Sequence, residues 1–285
     1  MAARIAKRRF SQNFLRDGRV VADIVEAGNF SVTDAVIEIG PGYGALTNDV
    51  LKKIPTLTAI EVDRDAVQYL KSKFSEDRLT VIEADCLDID LSVLGSSLRL
   101  LGNLPYHIST PILFHVDAGI NSIKDAMFML QREVVDRLVA SPGSSSYGKL
   151  SITMQLNWEL EKLFDVSPEA FDPKPKVWSS ILHLRPRAIA YDVDRVTFRR
   201  IVFGAFSKRR KTLRNALKGI VSEEQLECAA IDPGQRPETL SVDDYVRLSN
   251  IVSQADIINI APYICILKSK FQSVGLLNIY AIVTS

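Results

Sequence analysis

The sequence predicts an α/β protein, with a doubly wound domain followed by a small all-helical domain. Short apolar strands alternate with helical patterns in the first part of the chain, and a glycine-rich turn follows one of the first strands. Beyond Arg187 only helical patterns occur, up to about Val252. We therefore expect an α/β domain over residues 1–186, a helical domain over residues 187–254 and an extra apolar tail of unknown role over residues 255–285.

The composition is that of an ordinary globular protein, with 47% hydrophobic and 24% charged residues in a chain of 285. The three cysteines are odd in number, far apart, and lack the spacing of disulfides or of metal ligands. The basic start has no apolar core, so it is not a secretory signal. The apolar runs in the tail are shorter than a membrane span requires. These features predict a cytoplasmic protein without a membrane anchor or a metal site.

A net charge of +1 hides a basic segment, since nine basic residues and no acidic one lie between Arg195 and Ser222. Such a patch favours a polyanionic partner, and phosphate contacts of RNA fit it. The candidate RNA-binding residues are Lys208, Arg209, Arg210, Lys211 and Arg214. The alternative is a solvated helix face, although acidic residues suited to pairing along the helix are missing from the segment.

The glycine-rich turn follows a predicted strand from Val36 to Ile39 and precedes a helical pattern. Glycines at positions 40, 42 and 44 let the backbone approach a ligand closely. The spacing differs from that of dinucleotide-binding proteins, and no Lys-Ser/Thr pair follows, which excludes a triphosphate-binding P-loop. The stretch from Glu38 to Gly44 resembles the first motif of class I S-adenosylmethionine (SAM) methyltransferases. The alternative is a turn without a ligand.

Acidic residues follow the next two predicted strands. Glu61 closes the strand from Leu57 to Ile60, at the distance from Gly40 typical of a carboxylate that binds a ribose diol. Asp85 lies just past the strand from Leu79 to Ile82 and is a candidate acceptor for the adenine amine of the cofactor. The alternatives are a surface glutamate and a helix N-cap.

The predicted strand Leu98–Leu101 runs into Gly102-Asn-Leu-Pro-Tyr106. An exocyclic adenine amine is a poor nucleophile because its lone pair is delocalised into the ring. The side-chain oxygen of Asn103 and the carbonyl of Leu104 are suited to accept hydrogen bonds from that amine, and Tyr106 is suited to stack on an extruded base. The alternative is an ordinary Asn-x-Pro turn.

These motifs together resemble the KsgA family of ribosomal RNA adenine N6,N6-dimethyltransferases. The resemblance covers residues from about Arg8 to about Val252. It rests on Ser11-Gln-Asn-Phe-Leu15, Glu38-Ile-Gly-Pro-Gly-Tyr-Gly44, Glu61, Asp85, Asn103-Leu-Pro-Tyr106, Phe171-Asp-Pro-Lys-Pro-Lys-Val177 and the basic segment. Trp178 departs from the family, which usually has a small or acidic residue there.

The resemblance implies roles for individual residues. The implied cofactor-binding residues are Asn13, Leu15, Gly40, Glu61, Asp85 and Asn103, and the implied catalytic residues are Asn103, Leu104, Tyr106 and Phe171. Tyr106 and Phe171 are expected to hold the target adenine between them. An alternative for Phe171 is a loop aromatic packed into the core.

By the same resemblance, we expect SAM-dependent dimethylation of two adjacent adenosines in a hairpin near the 3′ end of small-subunit rRNA, during small-subunit biogenesis. The expected partners are small-subunit rRNA and the immature small subunit. One alternative is the related family that methylates large-subunit rRNA and confers macrolide resistance. The other is a non-catalytic assembly or transcription factor with the same fold.

Overall fold

The computed structural model describes residues 13–208 and 210–255. Within these, the chain divides into two compact units. The first comprises residues 13–141 and 153–190, and the second comprises residues 142–152 and 191–255. Residues 142–152 were expected in the first domain from the sequence. Their contacts within the second unit include Gly143 N donating to Glu238 O (2.7 Å) and the Lys149 ammonium 5.0 Å from the Phe203 ring centroid.

The first unit is built on a seven-stranded, mostly parallel sheet. Its strands are β2 (Ala35–Ile39), β3 (Leu57–Glu61), β4 (Leu79–Glu83), β5 (Leu98–Asn103), β6 (Ile123–Gln131), β7 (Trp158–Val166) and β9 (Ser179–Pro186). The strand order is β4-β3-β2-β5-β6-β9-β7. Only β9 runs opposite to the other six strands, so its pairings with β6 and β7 are antiparallel. The order reverses beside β2, so a ligand crevice is expected at its carboxyl end. The predicted α/β architecture is confirmed.

Six helices belong wholly or partly to this unit: α1 (Gly18–Gly28), α2 (Ala45–Val50), α3 (Arg64–Lys73), α4 (Ser109–Ala118), α5 (Arg132–Leu138) and α6 (Lys149–Gln155). Alternating side chains bury both faces of the sheet. Leu101 and Met127 join a cluster with residues of α1, α2 and α3, whereas Leu100 and Phe128 are equally buried and lie outside that cluster. A sheet covered on both faces explains why the parallel strands are apolar runs.

Two features of this unit were missing from the sequence prediction. One is a small antiparallel sheet in which β1 (Phe14–Leu15) pairs with β8 (Phe171–Asp172). The other is β7, whose charged residues weaken its strand pattern. Because β7 is an edge strand with one side exposed, pairing with β9 rather than local propensity determines its structure.

A buried ion cluster joins the amino-terminal region of the sheet to the end of α1. The guanidinium of Arg99 donates to Asp125 (2.7 and 2.8 Å), to Asp34 (2.7 Å) and to the carbonyl of Gly28 (2.8 Å). The Arg99 side chain is only 10% exposed. Burial raises the pKa of Asp125, but the hydrogen bonds from Arg99 and His183 outweigh this effect and hold that pKa at about 2.

The second unit is helical, as predicted. Its helices are α7 (Arg195–Ala205), α8 (Leu213–Ala216), α9 (Glu223–Cys228) and α10 (residues 242–255). Asp194 caps α7 by accepting from Thr197 N (2.7 Å), and Ser222 with Gln225 forms a capping box on α9. Almost all of the predicted tail, residues 256–285, lies outside the described residues. Among those described, no helix is long and apolar enough to cross a bilayer.

Candidate active site

The carboxyl ends of β2, β3, β4 and β5 surround a cavity of about 310 Å³. This volume is at the lower end of the range for small-molecule sites. Its lining includes the predicted cofactor residues Asn13, Leu15, Gly40, Glu61, Asp85 and Asn103 and the predicted catalytic residues Leu104 and Tyr106. Parallel strands end at the same edge of a sheet, which brings residues far apart in the chain to this single cavity.

The glycine-rich turn forms one wall of the cavity. Gly40 has φ +66°, a left-handed conformation that favours glycine, and its amide donates to the carbonyl of Ile60 (2.9 Å). A Cβ atom added at Gly40 would meet nothing within 4 Å. Backbone geometry therefore requires this glycine, and the open space beside it gives a ligand direct access to the main chain.

Glu61 ties the end of β3 to the glycine-rich turn. One carboxylate oxygen accepts from Gly42 N (2.9 Å), and the other accepts from Val62 N and Asp63 N (both 2.9 Å). Burial raises the pKa of Glu61, and these three amide bonds oppose the increase. A carboxylate has about four acceptor positions, so some capacity for a ligand hydroxyl is left.

Glu38 also lines the cavity and is 2% exposed. Thr47 Oγ1 donates to its carboxylate (2.6 Å). Burial raises the pKa of Glu38 to about 7, the Thr47 bond opposes this, and the nearby Glu61 carboxylate adds to it. From the sequence, Glu38 was expected only as part of the glycine motif and not as a residue of a cavity wall.

Asp85 both caps a short turn and lines the cavity, so it fits both interpretations that the sequence left open. Its Oδ1 accepts from Leu87 N (3.0 Å) and so caps a short 3₁₀ turn. The residue also lines the cavity. Beside it, burial and then the charge of Asp85 raise the pKa of the Cys86 thiol to about 12, so this cysteine stays protonated.

The side-chain amide of Asn103 is oriented by the amino-terminal segment. Its Nδ2 donates to the backbone carbonyl of Asn13 (3.1 Å), which directs the Oδ1 acceptor to the other side. The next residue, Leu104, donates its amide to Met129 O (3.2 Å). No hydrogen bond within the described chain is accepted by the Leu104 carbonyl. Two neighbouring oxygen acceptors are thus available at the end of β5.

Tyr106 is half-buried at the cavity wall, and its hydroxyl is 2.8 Å from Ser179 Oγ, across the sheet on β9. Burial raises the pKa of this hydroxyl, so it is neutral at physiological pH. Sequence patterns could not identify Ser179 as a partner, because the two residues are far apart in the chain.

Phe171 differs from the expectation. It is only 5% exposed, pairs with Leu15 in the small sheet and belongs to the hydrophobic core cluster. It is absent from the cavity lining, so the structure does not place it opposite Tyr106. Phe171 is held in the core because it pairs with Leu15 of β1.

Aromatic residues that the sequence analysis did not select close another part of the cavity. Phe14 and Tyr43 both line it and meet edge to face, with ring centroids 5.2 Å apart. His107 also lines the cavity. Phe14 belongs to the Ser11-Gln-Asn-Phe-Leu15 string, which was the feature of the sequence that could have identified it as a site residue.

The basic segment lies in the second unit. Lys208, Arg210, Lys211 and Arg214 are exposed, and Arg209 lies outside the described residues. The Arg214 guanidinium is 2.9 Å from the Glu223 carboxylate. Glu223 follows the segment in the chain, so the absence of acidic residues from the segment itself did not exclude such a pair.

Residues 4–254 match the family model described as ribosomal RNA adenine dimethylase. The chain belongs to this family. It is 43% identical over 257 residues to the Ribosomal RNA small subunit methyltransferase A of Dechloromonas aromatica, covering 89% of this chain and 100% of the relative. The protein of the same name from Legionella pneumophila strain Corby is 47% identical over 250 residues, with 87% and 98% covered. The family predicted from the motifs is confirmed.

Solved structures show the same fold at low sequence identity. A dimethyladenosine transferase from Plasmodium falciparum aligns with a TM-score of 0.73 and 24% identity over 82% of this chain and 95% of that one. The 23S rRNA methyltransferase ErmE aligns with a TM-score of 0.67 and 24% identity over 85% and 100%. The class I methyltransferase fold is therefore confirmed, and with the family it confirms SAM as the cofactor.

The cavity suits this cofactor. Glu38, Glu61 and Asp85 line it, and no lysine or arginine of the described chain does. An acidic lining complements the positive sulfonium of SAM. The acceptor carboxylates, the open backbone at Gly40 and the apolar wall provided by Leu46 and Ile112 fit its ribose, amino-acid and thioether parts.

Proposed function

We propose that this enzyme transfers methyl groups to the N6 amines of two adjacent adenosines in a hairpin near the 3′ end of small-subunit rRNA. The observation that carries the proposal is the pair of acceptors at the end of β5, Asn103 Oδ1 and Leu104 O, at the wall of the SAM-type cavity. An adenine amine has two N–H groups, and two adjacent acceptors match them. SAM, when bound, supplies the methyl group from its sulfonium.

The acceptors act on the nucleophile. Hydrogen bonds from both N–H groups pull the amine nitrogen away from planarity and return its lone pair to the nitrogen. Because the Asn103 amide is held by Asn13 and the Leu104 backbone by Met129, neither acceptor needs to reorganise during the reaction. The amine needs no strong base, since its proton becomes acidic once the nitrogen carries the new methyl group.

Tyr106 is proposed to stack on the extruded adenine. Its hydroxyl is held by Ser179, which fixes the ring orientation, and Pro105 stiffens the turn between the acceptors and the ring. Phe171, the second aromatic expected at this base, is buried in the core in this structure. The proposal therefore assigns stacking on the target base to Tyr106.

Cofactor binding is proposed for the turn and the strand ends. Gly40 would admit the amino-acid part to the backbone, Glu61 would accept from the ribose hydroxyls, and Asp85 would accept from the cofactor's adenine amine. The Oδ2 atom of Asp85 makes no hydrogen bond within the described chain, which leaves an acceptor for that amine. Asn13, Leu15 and Asn103 would close the end nearest the methyl group.

The second unit is proposed to bind the RNA backbone through Lys208, Arg209, Arg210, Lys211 and Arg214. Four of these side chains are exposed, and point charges on exposed side chains suit phosphate contacts. The protein is proposed to act in the cytoplasm on the immature small subunit. Relatives 43–47% identical are named for the small subunit, which favours this substrate over large-subunit rRNA.

The decisive experiment is methylation of unmodified small and large ribosomal subunits with radiolabelled SAM, followed by mapping of modified positions by primer extension. We expect two adjacent dimethyladenosines near the 3′ end of small-subunit rRNA and none in large-subunit rRNA. Label in the large subunit alone would favour the alternative substrate. SAM binding without label in either subunit would favour a non-catalytic role in assembly.

A further inference from the structure

An exposed aromatic platform lies one residue before Ser179, the serine that holds the Tyr106 hydroxyl. Trp178 immediately precedes β9, and its side chain is 45% exposed, which is unusual for so large an aromatic residue. The Arg132 guanidinium lies over its ring, 5.8 Å from the centroid. This distance is within the range of a cation–π interaction.

The backbone of the platform is fixed, although its side chains are exposed. Arg132 N donates to Trp178 O (2.9 Å), which joins the end of the β8–β9 loop to the start of α5. The Arg132 side chain is 48% exposed and lies 3.9 Å from the Asp165 carboxylate, which limits where the guanidinium can lie. The indole is thus presented on a rigid support with an arginine on one face.

The platform is linked through the backbone of β9 to the wall that carries Tyr106. Trp178 is the neighbour of Ser179, whose hydroxyl holds the Tyr106 hydroxyl at 2.8 Å. In the sheet, Ser179 pairs with Gln131 of β6, and β6 pairs with β5, which ends at Asn103. Asn103 lies opposite Met129, which lies opposite Ile181, so Ser179 is two strand spacings across the sheet and two residues along it from Asn103, about 12 Å between backbones.

We propose that Trp178 and Arg132 form a subsite for a nucleotide that flanks the target adenosine in the RNA. The flanking base stacks on the indole face opposite the guanidinium, and Arg132 with the exposed Lys176 neutralises the adjoining phosphates. This inference rests on the proposed function, because it takes the extruded base to be at Tyr106. A single-stranded flank is the occupant that the arrangement fits, since stacking requires an unpaired base.

The subsite acts on substrate positioning rather than on the methyl transfer itself. Trp178→Ala is expected to weaken binding of a target hairpin RNA about tenfold and to raise KM with little change in kcat. Trp178→Phe, which retains an aromatic face, is expected to recover most of the affinity. SAM affinity, measured by calorimetry, is expected to be the same in all three proteins.

Fluorescence and base deletion test stacking directly. The other tryptophan, Trp158, is fully buried and donates its indole N–H to Asp117 (2.8 Å), so Trp178 is the exposed emitter. RNA is expected to quench wild-type emission and to leave Trp178→Phe emission unchanged. Two further hairpins each lack one base, on one side or the other of the target adenosine. The wild type and Trp178→Ala are expected to bind with equal affinity to the hairpin that lacks the base stacked on Trp178.

Equal affinity of Trp178→Ala and the wild type for the intact hairpin, or unquenched emission in the bound complex, would overturn the subsite. If the wild type methylates small subunits and Trp178→Ala does so with unchanged KM, the inference fails while the proposed function stands. If the wild type binds SAM and methylates no RNA, the proposed function fails first. Arg132→Gln is the matched second variant and is expected to raise KM in the same direction.

Discussion

The side-chain amide of Asn103 donates to the backbone carbonyl of Asn13, 90 positions earlier in the chain, at 3.1 Å. This bond determines which end of the amide acts as an acceptor at the cavity. It also connects the amino-terminal segment to the end of β5, so two parts of the predicted site are held together by one contact. The amide oxygen that faces the substrate is therefore oriented before any ligand binds.

Asn103→Ala is expected to lower the single-turnover rate of methyl transfer by about 10²–10³, as loss of one preorganised partner of a reacting group does. RNA affinity is expected to change much less, because the acceptor acts mainly in the transition state. Asn48→Ala, on α2, is the control for loss of an asparagine elsewhere. A single-turnover rate equal to that of the wild type would contradict the role of Asn103.

Glu61→Ala is expected to reduce SAM affinity by roughly 1.5–3 kcal/mol, because it removes acceptors for the ribose hydroxyls. Calorimetry measures the affinity, and a parallel thermal melt accounts for the lost bond to Gly42. Glu83→Ala is the matched control. Glu83 ends β4 in register with Glu61 but does not line the cavity. Equal losses in the two variants would show that the assignment to Glu61 is incorrect.

Glu38 is expected to make stability depend on pH. Its pKa in the folded protein is about 7, whereas the ordinary pKa of a glutamate is 4.5. The folded state therefore binds more protons between these values, so the free energy of unfolding falls as pH rises through this window, by up to about 3 kcal/mol.

Glu38→Gln removes the titrating group and retains an oxygen acceptor for Thr47. Its free energy of unfolding, measured in denaturant from about pH 5 to about pH 8, is expected to fall less than that of the wild type. Glu83→Gln, at an exposed position, should follow the wild-type curve. If the free energy of unfolding changes with pH in the same way for Glu38→Gln and the wild type, the pKa of Glu38 is not raised as predicted.

Lys208→Gln combined with Lys211→Gln is expected to reduce the slope of log affinity for RNA against log salt by about 0.7–0.9 for each phosphate that the variant no longer neutralises. Arg214→Gln should change this slope less, since Arg214 already pairs with Glu223. Lys52→Gln with Lys53→Gln, in the first unit, is the charge-matched control. An unchanged slope in the Lys208 and Lys211 variant would show that these residues do not bind phosphates.

Arg99→Ala is expected to destabilise the protein by about 3–5 kcal/mol, because it leaves the buried carboxylates of Asp34 and Asp125 without their shared cation. Arg64→Ala is the control. Its ion pair with Glu83 is solvent-exposed, and such pairs contribute about 0–1 kcal/mol. Denaturant unfolding measures both. If Arg99→Ala and Arg64→Ala lose similar free energies of unfolding, the Arg99 cluster contributes no more to stability than a surface ion pair.

The sequence by itself determined the α/β class, the family and the edge of the sheet where the candidate site lies. Apolar strand patterns placed Glu61, Asp85 and Asn103 at strand ends, and strand ends of a parallel sheet share one edge whatever the loops do. Gly40 could likewise be selected from the chain alone, because a left-handed turn beside a strand end requires glycine locally.

Only the tertiary structure decided which residues meet across long separations. The two-residue strand at Phe14 is too short to have a sequence pattern, and its pairing with β8 both brings Asn13 to Asn103 and buries Phe171. The partner of Tyr106 at Ser179 depends on sheet order in the same way. Local propensity acts over a few neighbouring residues, whereas these contacts depend on how distant strands pack, so they follow from the folded protein alone.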